Sequence, residues 1–121
     1  MSYQVAYLRM LNKYFGFEGR ATLGEFWKPF VINFIVGVVF AILEVAIHPL
    51  VFLADLFYLA ILFPGLALLF RRLHDTGRSG WWWLVGLIPL VGWLVIIYLA
   101  AQPGNPDSNS FGAPSDVSRG A

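Results

Sequence analysis

From Trp81 to Ala101 the chain runs for twenty-one residues without a charged side chain, and no other feature constrains the fold as much. As a helix rising about 1.5 Å per residue, that run would measure roughly 30 Å, the thickness of a bilayer's hydrocarbon core. Two further runs resemble it. Pro29 to Ile47 is apolar except for Asn33 and Glu44, and Leu50 to Phe70 is interrupted only by Asp55. His48-Pro49 between them reads as a turn, because proline disfavours helix in the residue before it and starts the next helix well. The expectation is an all-α integral membrane protein with three transmembrane helices.

Composition points the same way. Hydrophobic residues make up 59% of the 121 residues and charged ones 12%, against roughly 45–50% and about 25% in a soluble domain. A soluble protein this small would need more polar surface to cover its core. Net charge is +1, which gives no global field toward nucleic acid. Cysteine is absent, and with it disulfides, thiolate metal sites and a cysteine nucleophile. Arg9, Lys13, Glu18, Arg20, Glu25 and Lys28 precede the first long apolar run. That segment does not read as a cleavable signal peptide, so the first span should serve as the insertion signal.

Three regions follow. Residues 1–28 form a cytoplasmic or interfacial segment, in which Val5, Leu8, Leu11 and Phe15 recur at helical spacing as in a short amphipathic helix lying in the membrane interface. Thr22 and Glu25 have the spacing of a capping box and predict a helix start near Leu23. Residues 29–101 hold the three-helix transmembrane domain. Residues 102–121, rich in Pro, Gly, Ser, Asn and Asp, form a flexible tail. Arg9, Lys13, Arg20 and Lys28 precede span one, and Arg71, Arg72 and Arg78 lie between spans two and three. The first turn has no Lys or Arg, and the tail has only Arg119. By the positive-inside rule the N-terminus and arginine loop are cytoplasmic and the tail external.

The loop Arg71-Arg72-Leu73-His74-Asp75-Thr76-Gly77-Arg78-Ser79-Gly80 is read as a tight polar turn and carries the candidate site. The guanidinium groups of Arg71, Arg72 and Arg78, beside His74 and Asp75, are suited to anionic lipid headgroups or a phosphorylated ligand. The plainer reading is that they set topology and pair with Glu18, Glu25 and Asp75. Glu18, Arg20 and Glu25 are the candidate ion-pair partners, with Glu18 or Glu25 expected on a loop arginine. His74 and Asp75 do not make a metal site, since the other histidine, His48, falls at the opposite membrane end. No catalytic residue and no cofactor is assigned. Glu44, His48 and Asp55 read as interfacial groups reachable by water, the sharper alternative being a proton or cation site. Pro64 and Pro89 each free a carbonyl, on Ala60 and Val85, and Asn33 could donate to one of them.

The segments Phe17-Glu18-Gly19-Arg20-Ala21-Thr22 and Glu25-Phe26-Trp27 form one recognisable pattern with the arginine loop, its following Trp81-Trp82, and Ile88-Pro89-Leu90-Val91-Gly92. Gly104, Pro106 and Asn109, with Phe111-Gly112 after them, complete it. The chain thereby resembles the domain-of-unknown-function family 805, small bacterial inner-membrane proteins, over residues 7 to 114. Ser110 and Leu23 stand where members often place basic residues. The resemblance implies a bacterial inner-membrane location and no reaction, and it implies that Phe111 docks.

The reading that follows is a non-enzymatic multi-pass module. It binds a partner protein or anionic lipid through its basic cytoplasmic loop, sits in the lipid bilayer, and is open to a membrane-protein partner or a homo-oligomer. An oligomeric transporter or channel using Asn33, Pro64 and Pro89 is the alternative. A phospholipid-processing enzyme using His74 and Asp75 as acid and base is the weaker one.

Overall fold

The computed structural model describes residues 2–115; Arg119 and the rest of the expected tail beyond Ser115 lie outside the described residues. Four α-helices are present: α1 (Tyr3–Asn12), α2 (Leu23–Ala46), α3 (Val51–Asp75) and α4 (Val91–Ala100). Short 3-10 helices cover His48–Leu50 and Gly80–Leu87. The capping box starts α2 where its spacing predicts. Thr22 Oγ1 accepts from the Glu25 N–H, and Glu25 Oε1 accepts from the Thr22 N–H, both at 3.2 Å.

Helices α2 and α3 are each long and apolar enough to cross a membrane. They form an antiparallel hairpin closed by the His48–Leu50 turn. In its half near that turn they meet at a few close points. The hydroxyl of Tyr58 lies where a Cβ on Gly37 would approach within 2.9 Å, and Phe40 and Phe57 meet with centroids 5.6 Å apart. Helix α1 packs across the opposite end, burying Ala6 and Met10. Its Val5, Leu8 and Leu11 face outward, while Phe15, beyond the end of α1, lays its ring against Phe63 with centroids 5.5 Å apart. A hydrophobic cluster of Met10, Ala21, Phe26, Leu68 and Ala100 joins α1, α2, α3 and α4 at this end.

The third apolar run departs from expectation. It is not one continuous helix but a hairpin of two short arms, Gly80–Leu87 and α4. A straight helix would carry Ala101 about 30 Å from Trp81. Instead Gly80 sits against Phe70 and the Ala100 carbonyl accepts from Arg72 Nε at 2.9 Å, so both ends lie beside the last turns of α3. Ile88-Pro89-Leu90 makes the reversal, with Leu90 at a positive φ of 62°. Gly92 lets the arms touch, because a Cβ there would stand 1.8 Å from the Val85 carbonyl oxygen.

Two other expectations change with it. The arginine segment is less a loop than a helix end: α3 continues through Asp75, and the turn is confined to residues 76–79. Basic side chains suit the carbonyl-rich C-terminus of a helix, which explains why polarity did not end it. The tail also does not leave at the opposite end from the arginines. Since the third run doubles back, residues 102–115 emerge beside them and pack there, with the Asn105 N–H on the Asp75 carbonyl at 2.7 Å. The carbonyls near the two prolines are not served by Asn33. Tyr14 Oη donates to the Ala60 carbonyl at 2.6 Å, and the Ile88 N–H donates to that of Val85 at 3.0 Å.

Candidate functional site

Where α1, α2, α3 and the tail converge, a carboxylate lies at the centre of each of two polar clusters. Asp75 is fully buried between two guanidinium groups, Arg20 at 3.0 Å and Arg72 at 2.6 Å, both themselves fully buried. Glu25 accepts from Arg9 Nε at 2.8 Å while capping its own helix, and Ser115 Oγ donates to its Oε1. Glu25 is thus paired with Arg9 on α1, where a loop arginine was expected. Glu18 lies exposed on the turn before α2. Of the expected pairings Arg72 with Asp75 forms, the Glu25 charge still acts on the Arg71 guanidinium, and Asp75 gains Arg20 as a second partner.

The remaining donors of Arg20 and Arg72 are spent on backbone. Arg72 reaches the carbonyls of Ala21 at 2.8 Å, Ala100 at 2.9 Å and Gln102, and so ties α2, α4 and the tail to α3. Arg20 donates to the carbonyls of Asn105, Asp107 and Gly112. A charged donor on a neutral carbonyl is stronger than an amide would be, and the tail's irregular backbone gets its hydrogen bonds this way. Arg71 is buried too. Its Nη1 donates to the Gly16 carbonyl at 2.6 Å, just after α1, while Nε and Nη2 have no partner among the described residues. Arg78, half-buried, has a side chain without a partner among the described residues.

His74 and Asp75 do not converge on a shared space. The His74 ring bonds the Gly19 carbonyl through Nδ1 at 2.9 Å and stacks on Phe111, centroids 4.2 Å apart and planes 4° from parallel. Its backbone carbonyl accepts from Asn109 Nδ2 at 2.8 Å. Residues 102–115 are therefore a strap, pinned at Asn105, Asn109, Phe111 and Ser115. Gly77, at φ +82°, turns the chain beside Asn105 and leaves no room there for a side chain. The Gly104, Pro106, Asn109 and Phe111-Gly112 pattern carried this signal in the sequence; composition alone reads the same residues as flexible.

Tyr7 and Asn33 form a further polar contact between α1 and α2, and nothing in the pattern of α1 singled out this tyrosine. Tyr7 Oη donates to Asn33 Oδ1 at 2.8 Å, and burial raises the pKa of its phenol. Glu44, His48 and Asp55 all lie at the far end of the α2–α3 hairpin, away from the arginines.

This geometry meets its counterparts in known proteins. The profile of a family described as "Protein of unknown function (DUF805)" matches residues 14–113. Inner membrane protein YhaI of Escherichia coli K12 is 42% identical over 107 residues, covering 88% of this chain and 91% of the relative. Inner membrane protein YhaH of the same strain is 40% identical over 111 residues, covering 88% and 92%. No solved structure matches the chain. With a matched region that takes in the arginine-rich end of α3, the third-run hairpin and most of the strap, the chain belongs to the DUF805 family and is a membrane protein.

Proposed function

We propose that the chain is a non-enzymatic inner-membrane module with two full spans, α2 and α3, and a re-entrant hairpin in place of a third. Its cytoplasmic cap binds a partner protein through the strap and the turn after α3. One observation carries this reading: the guanidinium groups of Arg20 and Arg72 hold a fourteen-residue peptide in shape, and do not face outward. A charge cluster spent on shaping an external peptide surface suits recognition of another protein better than capture of a headgroup. Exposed Pro106, Asp107, Ser108 and Ser110, with half-buried Arg78, form that surface.

The orientation follows from the same folding-back. All seven Lys and Arg residues from Arg9 to Arg78 lie at the α1 end and none at the His48–Leu50 turn. That bias supports a cytoplasmic side for α1 and the strap. A reporter fused after Ala121 is expected to read cytoplasmic; an external reading overturns the two-span topology. For the partner, a photo-crosslinking residue at Asp107 in native membranes is expected to capture one dominant protein. Capture should disappear in Phe111→Ala, which frees the strap. Lipid adducts alone, or capture indifferent to Phe111, would overturn the reading.

The enzyme alternative loses support because Asp75 is enclosed by two arginines and His74 is covered by Phe111. Transport through Asn33, Pro64 and Pro89 loses support because both proline-linked carbonyls are occupied by donors of the chain itself.

A further inference from the structure

Beneath the cap, the inner halves of α2, α3 and α4 border a half-open cavity of about 240 Å³, lined among others by Met10, Phe26 and Gly65. It adjoins a groove of about 460 Å³ between α2, α3 and the hairpin, with Phe30, Leu69, Ile96 and Ile97 lining both. Gly65 keeps one wall open, since a Cβ there would meet nothing within 4 Å. Asn33 carries the one side-chain amide in the lining, and the groove adds the indoles of Trp83 and Trp93, of which Trp83 Nε1 is buried with no hydrogen-bond partner among the described residues.

Asn33 is also incompletely used. Tyr7 holds its Oδ1, which turns Nδ2 toward the Met10 sulfur at 4.0 Å, the outer limit of a sulfur contact. A side-chain amide carries two N–H donors, and a thioether is a weak acceptor. The site thus combines a long apolar channel with a small number of donors, among them an Asn33 N–H open to a better acceptor, the usual composition of a small-molecule site. Asn33 lies five residues beyond Lys28, about 8 Å down the helix, where the headgroup layer gives way to hydrocarbon. Glycerol ester carbonyls lie at that level. A partner helix, about 10 Å across, does not enter a space of this volume, whereas a single chain of methylenes does.

We propose that the cavity and groove hold one acyl chain of an inner-leaflet glycerophospholipid, its ester carbonyl accepting a hydrogen bond from Asn33 Nδ2. The site is independent of what the cap binds. Bound lipid would fill the space between the hairpin and α2 and fix how far the hairpin leans into the bilayer.

The test uses the full chain purified in mild detergent and exposed to phosphatidylethanolamine with either ester-linked or ether-linked chains of equal length. Bound lipid is counted by native mass spectrometry. One ester lipid per chain is expected, held about fivefold more than the ether lipid, as the loss of one hydrogen bond predicts. Asn33→Leu should level the two, and Ile96→Trp should displace both. Should Asn33→Leu not fold, the ether comparison on the unaltered chain reads the same bond. Equal retention of both lipids by the unaltered chain overturns the proposal. So does indifference to Ile96→Trp, or a stoichiometric quinone in place of phospholipid.

Discussion

The two halves of the α2–α3 hairpin differ in sequence and in structure: the half at the arginine end carries Glu25, Lys28, Arg71, Arg72, His74 and Asp75, the half near the turn only Glu44 and Asp55. Near the His48–Leu50 turn the helices touch mainly each other, and Val45 and Phe52 are 91% and 72% exposed. At the arginine end, α1, the hairpin, the strap and both long helices crowd together, and Arg72 and Asp75 are 0% exposed. In the proposed topology lipid solvates the first half, so almost any apolar side chain serves there. The second half is held by directional bonds between charged groups and carbonyls, where each residue has an assigned partner. Specificity in this fold therefore resides in its few polar residues, while its many apolar ones secure residence in the membrane.

The sharpest way to break that contrast is Asp75→Ala. It leaves Arg20 and Arg72 buried without a counter-ion, and removing one partner of a buried ion pair costs about 3–5 kcal/mol. Thermal unfolding in detergent should show that loss, with release of the strap and loosening of α4. A loss below about 1 kcal/mol would mean that water reaches both guanidinium groups. Next comes Gly92→Ala, whose methyl would collide with the Val85 carbonyl at the base of the hairpin tip. Overpacking of this kind costs about 1–3 kcal/mol. The control is Gly65→Ala, in open space within α3, where relief from helical glycine predicts no loss and up to about 1 kcal/mol of gain. Equal effects at the two glycines would argue against the folded-back hairpin.

How much of this was legible beforehand divides along the same line. Hydropathy alone finds α2 and α3, and the Thr22-Glu25 spacing finds the start of α2, because both signals are local. The third run has the length and composition of a span, and a composition count cannot see that it reverses. The evidence lay in Pro89 and Gly92, which make sense as a turn and a crossing only once the arms are seen to touch. The arginines were found as a group, but their direction was not. Whether a guanidinium faces a headgroup or the carbonyls of Gly112 and Gln102 depends on a tail some thirty to ninety residues distant in sequence. Charge pairing likewise fell to Arg9, which the amphipathic pattern of α1 marks only as a residue off the apolar face.

A smaller effect separates the strap from the bundle. Phe111→Ala removes the ring stacked on His74, and aromatic pairs of this kind contribute about 0.5–1.5 kcal/mol beyond their buried area. The loss should fall on the strap alone. Limited proteolysis is expected to cut near Asp107 several times faster, while the unfolding temperature of the bundle barely moves. If the whole molecule melts lower instead, the strap is part of the core and not a cover on it.

The smallest expected effect tests the other side of the comparison. In the outer half, Val45→Leu and Phe52→Leu together exchange one lipid-facing apolar side chain for another, at positions with little of their own surface against the chain. If lipid is their only neighbour, nothing has to repack and no polar group changes hands. The double variant should then match the parent within about 0.5 kcal/mol, the usual range for surface substitutions. A loss near 1 kcal/mol, appearing in membranes and absent from dilute detergent, would require a second protein packed against that half. The bare end of the hairpin would then be an interface, and the contrast between the two halves would hold only for the isolated chain.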